Sequence, residues 1–286
     1  MFYYFVKSRI LVFNRFDSVQ LSKIVIIPTY NEKENVSQII TSVFNLNASY
    51  HILIIDDGSP DGTAEIVKSL ISRYPNQLYL EERTGKLGLG TAYIHGFKWA
   101  LAAGYEYIFE MDADFSHNPN DLENLYNACK YSKADVAIGS RYVPGGKIEN
   151  WPFDRHFYSK GGALFTKIIT WMPINDPTAG FVCYTNRVLE SINLDNINFV
   201  GYAFQIEMKF ACWKLGFKIT EVPITFIDRR VGISKMSKGI IKEGVLGVIE
   251  IQLQSMFKKY SKRIKADNSA KLIKADFSKE SFSKTK

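Results

Sequence analysis

From residue 24 onward the apolar and polar positions switch repeatedly between two periods. Ile24–Ile27 is a short β-branched run closed by Pro28, and Asn35–Phe44 places Val36, Ile39, Ile40 and Val43 at helical spacing. His51–Ile55 reads as a second buried strand, Thr63–Arg73 as a helix and Leu78–Leu80 as a brief strand. Leu89–Ala103 is the next helix, and Tyr107–Met111 a strand that runs into D-A-D. Asp121–Tyr131 is a helix opened by Pro119, and Ala134–Ile138 another strand. Strands alternating with helices predict an α/β fold, with a mostly parallel central sheet covered by helices on both faces. Past residue 145 the pattern loosens into an aromatic-rich helix at Phe153–Trp171, a segment at Gly201–Leu215 and an extended stretch at Lys218–Ile227.

In open sheets of this kind ligands collect beyond the carboxyl ends of the strands. Three polar clusters fall there: Pro28–Glu32, Asp56–Thr63 and Asp112–Ser116. If Asp112 and Asp114 stay extended they share a face about 6–7 Å apart, whereas Mg²⁺ takes oxygens at about 2.1 Å. Direct chelation by both then requires the strand to end between them. Otherwise one carboxylate binds the metal, and the other reaches it through water or holds a sugar hydroxyl. D-x-D alone is equally compatible with two carboxylates capping the following helix. In D-D-G-S-P-D-G-T, Asp61 reads as turn structure. Capping does not account for the Asp56–Asp57 pair, and Asp57 is expected to contact a base or ribose. Arg141, Arg229, Lys235 and Arg155 supply cations suited to phosphate oxygens, and Gly232, Ser234 and Lys235 could wrap one.

Composition narrows the choice. The chain has 286 residues with 46% hydrophobic content, enough for a substantial core. Cys129, Cys183 and Cys212 form no C-x-x-C pair, which argues against a disulfide framework or a thiolate zinc site. No G-x-G-x-x-G, P-loop or G-x-S-x-G motif is present. The formal charge of +7 equals that of residues 258–286, which hold ten Lys/Arg and three Asp/Glu. The folded body therefore has no evident basic face for nucleic acid. Apolar runs at both ends are interrupted by charges and predict no membrane-spanning helix. The chain divides into a basic, aromatic extension (1–23), a domain (24–257) with a C-terminal amphipathic helix, and a basic tail (258–286) expected to be disordered.

Taken together, P-T-Y-N-E at 28–32, I-D-D-G-S-P-D-G-T at 55–63 and D-A-D at 112–114 resemble the inverting nucleotide-sugar transferases of the GT-A fold. More narrowly, four segments are similar to the dolichol- or polyprenol-phosphate mannose synthases: L-G-L-G-T-A-Y-I-H-G at 87–96, M-D-A-D-F-S-H at 111–117, G-S-R-Y at 139–142 and D-R-x-x-G-x-S-K at 228–235. The resemblance implies a Rossmann-like fold that transfers mannose from GDP-mannose to a polyprenyl (dolichyl-type) monophosphate with inversion, using Mg²⁺ or Mn²⁺. By position, Pro28, Tyr30, Glu32, Ile55 and Asp57 would line the nucleotide pocket. Asp112 and Ala113 would contact the diphosphate and metal region, and Asp114 would ligate the metal. Arg141, Arg229 and Lys235 would bind donor or acceptor phosphates, and Arg155 with Ser159 the acceptor phosphate. Ser116 stands where some relatives place a Gln as third metal ligand, so that ligand stays open. Ile233 is apolar in a loop that is usually more polar.

A dianionic acceptor phosphate needs no general base. Glu207 is the obvious base candidate, with a structural role as its alternative. The rival readings are a UDP-glucose-dependent transferase acting on the same lipid, a polysaccharide-type transferase and a catalytically silent nucleotide-binding module. The family includes members with transmembrane helices after the catalytic domain, and this sequence resembles the shorter form. Such a protein is expected to be cytoplasmic and peripheral on a membrane, reaching its lipid directly or through an anchoring partner. The basic flanks suit an anionic surface.

Overall fold

The computed structural model describes residues 22–201, 203–228 and 238–257. The extension and tail expected at 1–23 and 258–286 lie outside them, save for 22 and 23. In chain order the first half runs β1 (Lys23–Thr29), α1 (Val36–Phe44), β2 (His51–Asp56), α2 (Thr63–Ile71), β3 (Leu78–Glu82), α3 (Leu89–Ala103), β4 (Tyr107–Glu110), α4 (Asp121–Lys130) and β5 (Val136–Ser140). The second half adds β6 (Lys147–Glu149), α5 (Phe153–Thr170), β7 (Val182–Thr185), α6 (Asn186–Ser191), α7 (Ala203–Lys214), β8 (Ile219–Pro223), β9 (Thr225–Ile227) and α8 (Lys238–Phe257).

The main sheet has seven strands in the order β3-β2-β1-β4-β7-β5-β8, and β6 pairs with β9 in a small second sheet. Period-2 alternation divides the core. Ile24 and Ile26 of β1 pack with Tyr93 and Phe97 of α3 and with Phe204 of α7. Val25 and Ile27 pack on the other face with α1 residues Val36, Ile39 and Val43 and with Leu122 and Leu125 of α4. The sheet is mostly parallel, as the alternating pattern predicts. The exception is β7, antiparallel to both β4 and β5. The sequence reading passes over this strand, which lies past residue 145 where the alternation of strands and helices loosens.

Insertion of β7 leaves β5 pointing the same way as β1, β2 and β4. Their carboxyl ends, Thr29, Asp56, Glu110 and Ser140, therefore meet one edge. An antiparallel strand brings its leading segment to that edge, so residues 178–181 arrive there too. Among the described residues no helix is long and apolar enough to cross a membrane.

Candidate active site

Two loops at the edge are tied together before any ligand is considered. Asp56 accepts from Thr29 Oγ1 at 2.8 Å, from Ser59 N at 2.9 Å and from Ser59 Oγ at 2.6 Å. Asp61 accepts from Thr63 N and Oγ1 and, through its other oxygen, from Lys33 N. Both acids therefore hold the P-T-Y-N-E loop against the D-D-G-S-P-D-G turn. Asp57 forms a nearly buried ion pair with Arg83, 2.5 Å from Nη2, and Arg83 also reaches Thr91 Oγ1 and the Gly88 carbonyl. Leu87 N donates to the second Asp57 oxygen. This carboxylate thus organises the 83–88 loop and the first turn of α3. Tyr30 lies below the Lys86 ammonium, 5.0 Å from ring centroid to Nζ. Glu32 accepts from Asn35 Nδ2 at 2.8 Å. Pro28 and Ile55 are register partners, and Ile55 is fully buried.

The acidic end is shaped by where β4 stops. The strand ends at Glu110, ahead of both acids of D-A-D, and Phe115 takes a left-handed φ of 60°. That turn, uncommon for an aromatic residue, folds the chain back so that Asp112 and Asp114 line one cavity of about 110 Å³, with Ala113 buried between them. Asp114 is buried and accepts from Ser116 N at 3.0 Å, whereas the Asp112 side chain is 38% exposed. His117 also walls this cavity. Its ring stacks on Phe181 at 5.0 Å, and Nδ1 accepts from Asp112 N at 3.4 Å. Burial pushes the imidazole pKa down to about 4. The fold makes it a neutral wall of the site.

Arg141, directly after β5, donates to Asp176 through its backbone N, Nε and Nη2 at 2.6–2.9 Å, and to Thr178 Oγ1 at 2.9 Å. Arg155 on α5 donates to both Asp228 oxygens at 2.8 Å and covers the Trp151 ring at 4.2 Å, while its buried Nε has no hydrogen-bond partner among the described residues. Both arginines line the acidic cavity. They also line a second cavity of about 430 Å³ between α5 and α8, walled by Phe157, Tyr158, Phe165, Ile206, Val245 and Val248. Ser159 belongs to this second cavity and accepts from Tyr142 OH at 2.7 Å.

The fold therefore brings Asp112, Asp114, Arg141 and Arg155 to one cavity and sets Ser159 in its apolar neighbour. Pro28, Tyr30, Glu32, Ile55 and Asp57 lie along the strand ends to one side. Arg229 and Lys235 lie outside the described residues. Glu207 is buried and accepts from Asn198 N and Phe199 N at 2.9 and 3.0 Å, so it braces a loop. Sequence reasoning missed Arg83, Asp176, Thr178, Trp151 and Gln205. Arg83 and Asp176 stand in turn-rich stretches, E-E-R-T-G-K and N-D-P-T, which was the available signal.

Two carboxylates and converging arginines at the strand ends of a mostly parallel sheet fit a glycosyltransferase of the GT-A fold. The chain belongs to glycosyl transferase family 2, whose family model matches residues 24–192, and it is a glycosyltransferase. It is 45% identical over 227 residues to the polyprenol monophosphomannose synthase of Mycolicibacterium smegmatis, covering 79% of this chain and 85% of the relative. It is 44% identical over 225 residues to the undecaprenyl-phosphate mannosyltransferase of Micrococcus luteus, covering 79% and 91%. Among solved structures, the mannosyltransferase PcManGT of Pyrobaculum calidifontis, in complex with GDP-Man and Mn²⁺, shares the fold with a TM-score of 0.51. That match is at 16% identity and covers 83% of this chain and 74% of the other.

Proposed function

We infer that this protein transfers mannose from GDP-mannose to the phosphate of a polyprenyl (dolichyl-type) phosphate with inversion, releasing GDP. The observation that carries this reading is the place of Arg141 and Arg155, shared by a small acidic cavity at the strand ends and a larger apolar one between two helices. A lipid phosphate has this division of chemistry: an anionic head for the arginines and a hydrocarbon tail for the apolar walls. The curated relatives, which carry polyprenyl-phosphate mannosyltransferase names, support the same acceptor and sugar.

The donor set fits a hard divalent cation. Asp112 and Asp114 present carboxylate oxygens, and among the described residues no group of three or more His, Cys, Asp and Glu gathers to complete a site. Two carboxylates sharing the ion with a diphosphate is how Mg²⁺ or Mn²⁺ is commonly held. When bound, the ion offsets the charge that builds up on the departing diphosphate. The protein's own residues do the rest. Arg141 and Arg155 draw the acceptor phosphate beside the donor, two anions that otherwise repel. The acceptor oxygen attacks the anomeric carbon as the bond to GDP breaks. With a second phosphate pKa near 6 the nucleophile is already deprotonated, which agrees with a wall built from a neutral His117 and with a Glu207 occupied elsewhere.

The lipid must be reached at a membrane surface. α5 and α8 pack together, and each carries an outward apolar stripe: Phe153, Phe157, Leu164, Ile168 and Trp171 along α5 and its end, and Val245, Leu246, Ile249, Leu253 and Met256 along α8. Spacings of three, four and seven residues keep each set on one helical face. A patch of this extent is characteristic of an interaction surface, and the second cavity opens between the same helices. The protein acts peripherally on the membrane through this face, directly or with an anchoring partner.

The test is a donor screen. Purified protein with Mg²⁺ and polyprenyl phosphate is given radiolabelled GDP-mannose or UDP-glucose. Label is expected in lipid from GDP-mannose alone. Transfer from UDP-glucose instead, or turnover only without the lipid phosphate, overturns the reading.

A further inference from the structure

Beneath the acidic cavity lie a buried acid and a buried amine with no part in the steps above. Glu110 ends β4 and Lys209 sits within α7, and both are wholly shielded from solvent. Between them stands the amide of Gln205. Its Nε2 donates to Glu110 Oε2 at 2.8 Å, and its Oε1 accepts from Lys209 Nζ at 2.9 Å. Lys209 also donates to the carbonyls of Ala179 at 2.7 Å and Gln205 at 3.2 Å. Burial pushes the Glu110 carboxyl pKa up and the Lys209 ammonium pKa down, each opposed by the partner's charge.

One consequence is orientational. A side-chain amide can present either end with little difference in shape. An ammonium only donates, so a reversed Gln205 would set N–H against the N–H of Lys209 and lose that bond. The amide is therefore held one way round. A second consequence concerns the cavity itself. Gln205 is part of its wall, as are Asp112 and Gly180. A side chain beginning at Gly180 would start 3.8 Å from Gln205 Nε2 and 3.9 Å from Asp112 Oδ2. Glycine leaves that point open to a ligand, between an N–H donor and a carboxylate acceptor. One Nε2 hydrogen is used on Glu110 and one is left. A hydroxyl can accept from the first group and donate to the second. Through Ala179 the same lysine fixes the backbone beside that point.

We propose that Gln205 is a sugar-contacting residue that donates to a hydroxyl of the transferred hexose, and that Glu110 and Lys209 are positioning residues which set the end of its amide facing the sugar. The proposal rests on the donor reading given above. A site built to hydrogen-bond a hydroxyl discriminates against an analogue lacking it more sharply than apolar contact does.

The experiment measures kcat and KM for GDP-mannose and for its singly deoxygenated mannose analogues, together with the affinity for GDP and the melting temperature. The proteins are the wild type, Gln205→Ala and Lys209→Met. Gln205→Ala is expected to lower kcat/KM for GDP-mannose by about tenfold or more, the worth of a hydrogen bond in a dry site. It should leave GDP affinity unchanged and cause no loss for the one analogue that lacks the contacted hydroxyl. Lys209→Met is expected to erode discrimination between GDP-mannose and that same analogue, again with GDP affinity unchanged. If Lys209→Met does not fold, Glu110→Gln with Lys209→Met removes both the acid and the amine and should show the same erosion. Equal losses on every analogue, or no loss at all, while the wild type turns over GDP-mannose overturns this inference alone. A wild type that does not turn over GDP-mannose overturns the donor reading and this inference with it.

Discussion

Asp112 and Asp114 share a cavity because β4 stops at Glu110, within a residue of where the sequence pattern ends it, and because Phe115 turns left-handed, which no side-chain pattern announces. The sequence motif named the acids and left open whether they stay extended and apart; the strand ends ahead of both. Asp114→Ala is expected to lower mannolipid formation at least about a hundredfold, since it removes a charge aimed at the diphosphate region. Circular dichroism and the melting temperature should stay close to wild type, and near-normal transfer would remove Asp114 from the site. His117 gives a prediction of opposite kind. Buried neutral, with a folded pKa of about 4 against about 6.5 unfolded, it binds its proton first in the unfolded chain. Its contribution to stability is complete above pH 6.5 and declines as pH falls from there toward 4. His117→Phe should fit between Phe181 and Phe226, and it should lose less stability between pH 7 and pH 5 than wild type. Urea midpoints at the two pH values measure this; equal losses would refute it.

At the scale of elements, α3 explains a good part of the site's order. Its glycines permit a close approach to the sheet and to α7. A Cβ at Gly96 would come within 2.7 Å of Ile26 Cγ2, and one at Gly90 within 2.8 Å of Phe204 and of the Phe199 carbonyl. Gly96→Ala is expected to destabilise the fold by about 1–3 kcal/mol through overpacking, less any gain of up to about 1 kcal/mol in helix propensity. A lower denaturation midpoint is the readout; an unchanged one would show that Ile26 yields at no cost. The 83–88 loop leading into α3 is anchored by the Arg83–Asp57 pair. Local composition marks a loop there, yet the partner of Asp57 lies 26 residues away and only the fold identifies it. The helices and parallel strands up to β5 were legible because each buries one face or both over several residues. The antiparallel β7 and the three-residue β6 were not, because past residue 145 no regular strand–helix alternation frames such short runs.

For the molecule as a whole, the apolar stripes of α5 and α8 and the charge of the chain point in one direction. Trp171, 81% exposed, and Leu253, 55% exposed, contribute little to folding and much to a surface available to a bilayer interface. Trp171→Ser and Leu253→Ser should leave stability within about 0.5 kcal/mol while each weakens binding to anionic vesicles by about tenfold, as lost apolar burial requires. Vesicle co-sedimentation decides this, and unchanged binding would move the membrane contact elsewhere. Deleting residues 258–286, which carry ten Lys/Arg and three Asp/Glu, should weaken binding to anionic vesicles more than to neutral ones, at about 1 kcal/mol per basic residue near the surface. Equal binding to both by the full-length protein would reduce that segment to a solubilising role.

The sequence by itself determined the class of fold and the family resemblance, and it pointed to the strand ends and to Asp112 and Asp114 as the candidate site. Each of these rests on local information: a hydrophobic period, a turn-forming dipeptide, a run of motif residues in order. The tertiary structure alone decided which groups meet across long separations. It paired Asp57 with Arg83 and Arg141 with Asp176, committed Glu207 to a loop and set Gln205 between a buried acid and a buried amine. It also placed Arg141 and Arg155 between an acidic cavity and an apolar one. Those choices depend on how a twisted sheet with one reversed central strand gathers distant segments at a single edge, which no window along the chain contains.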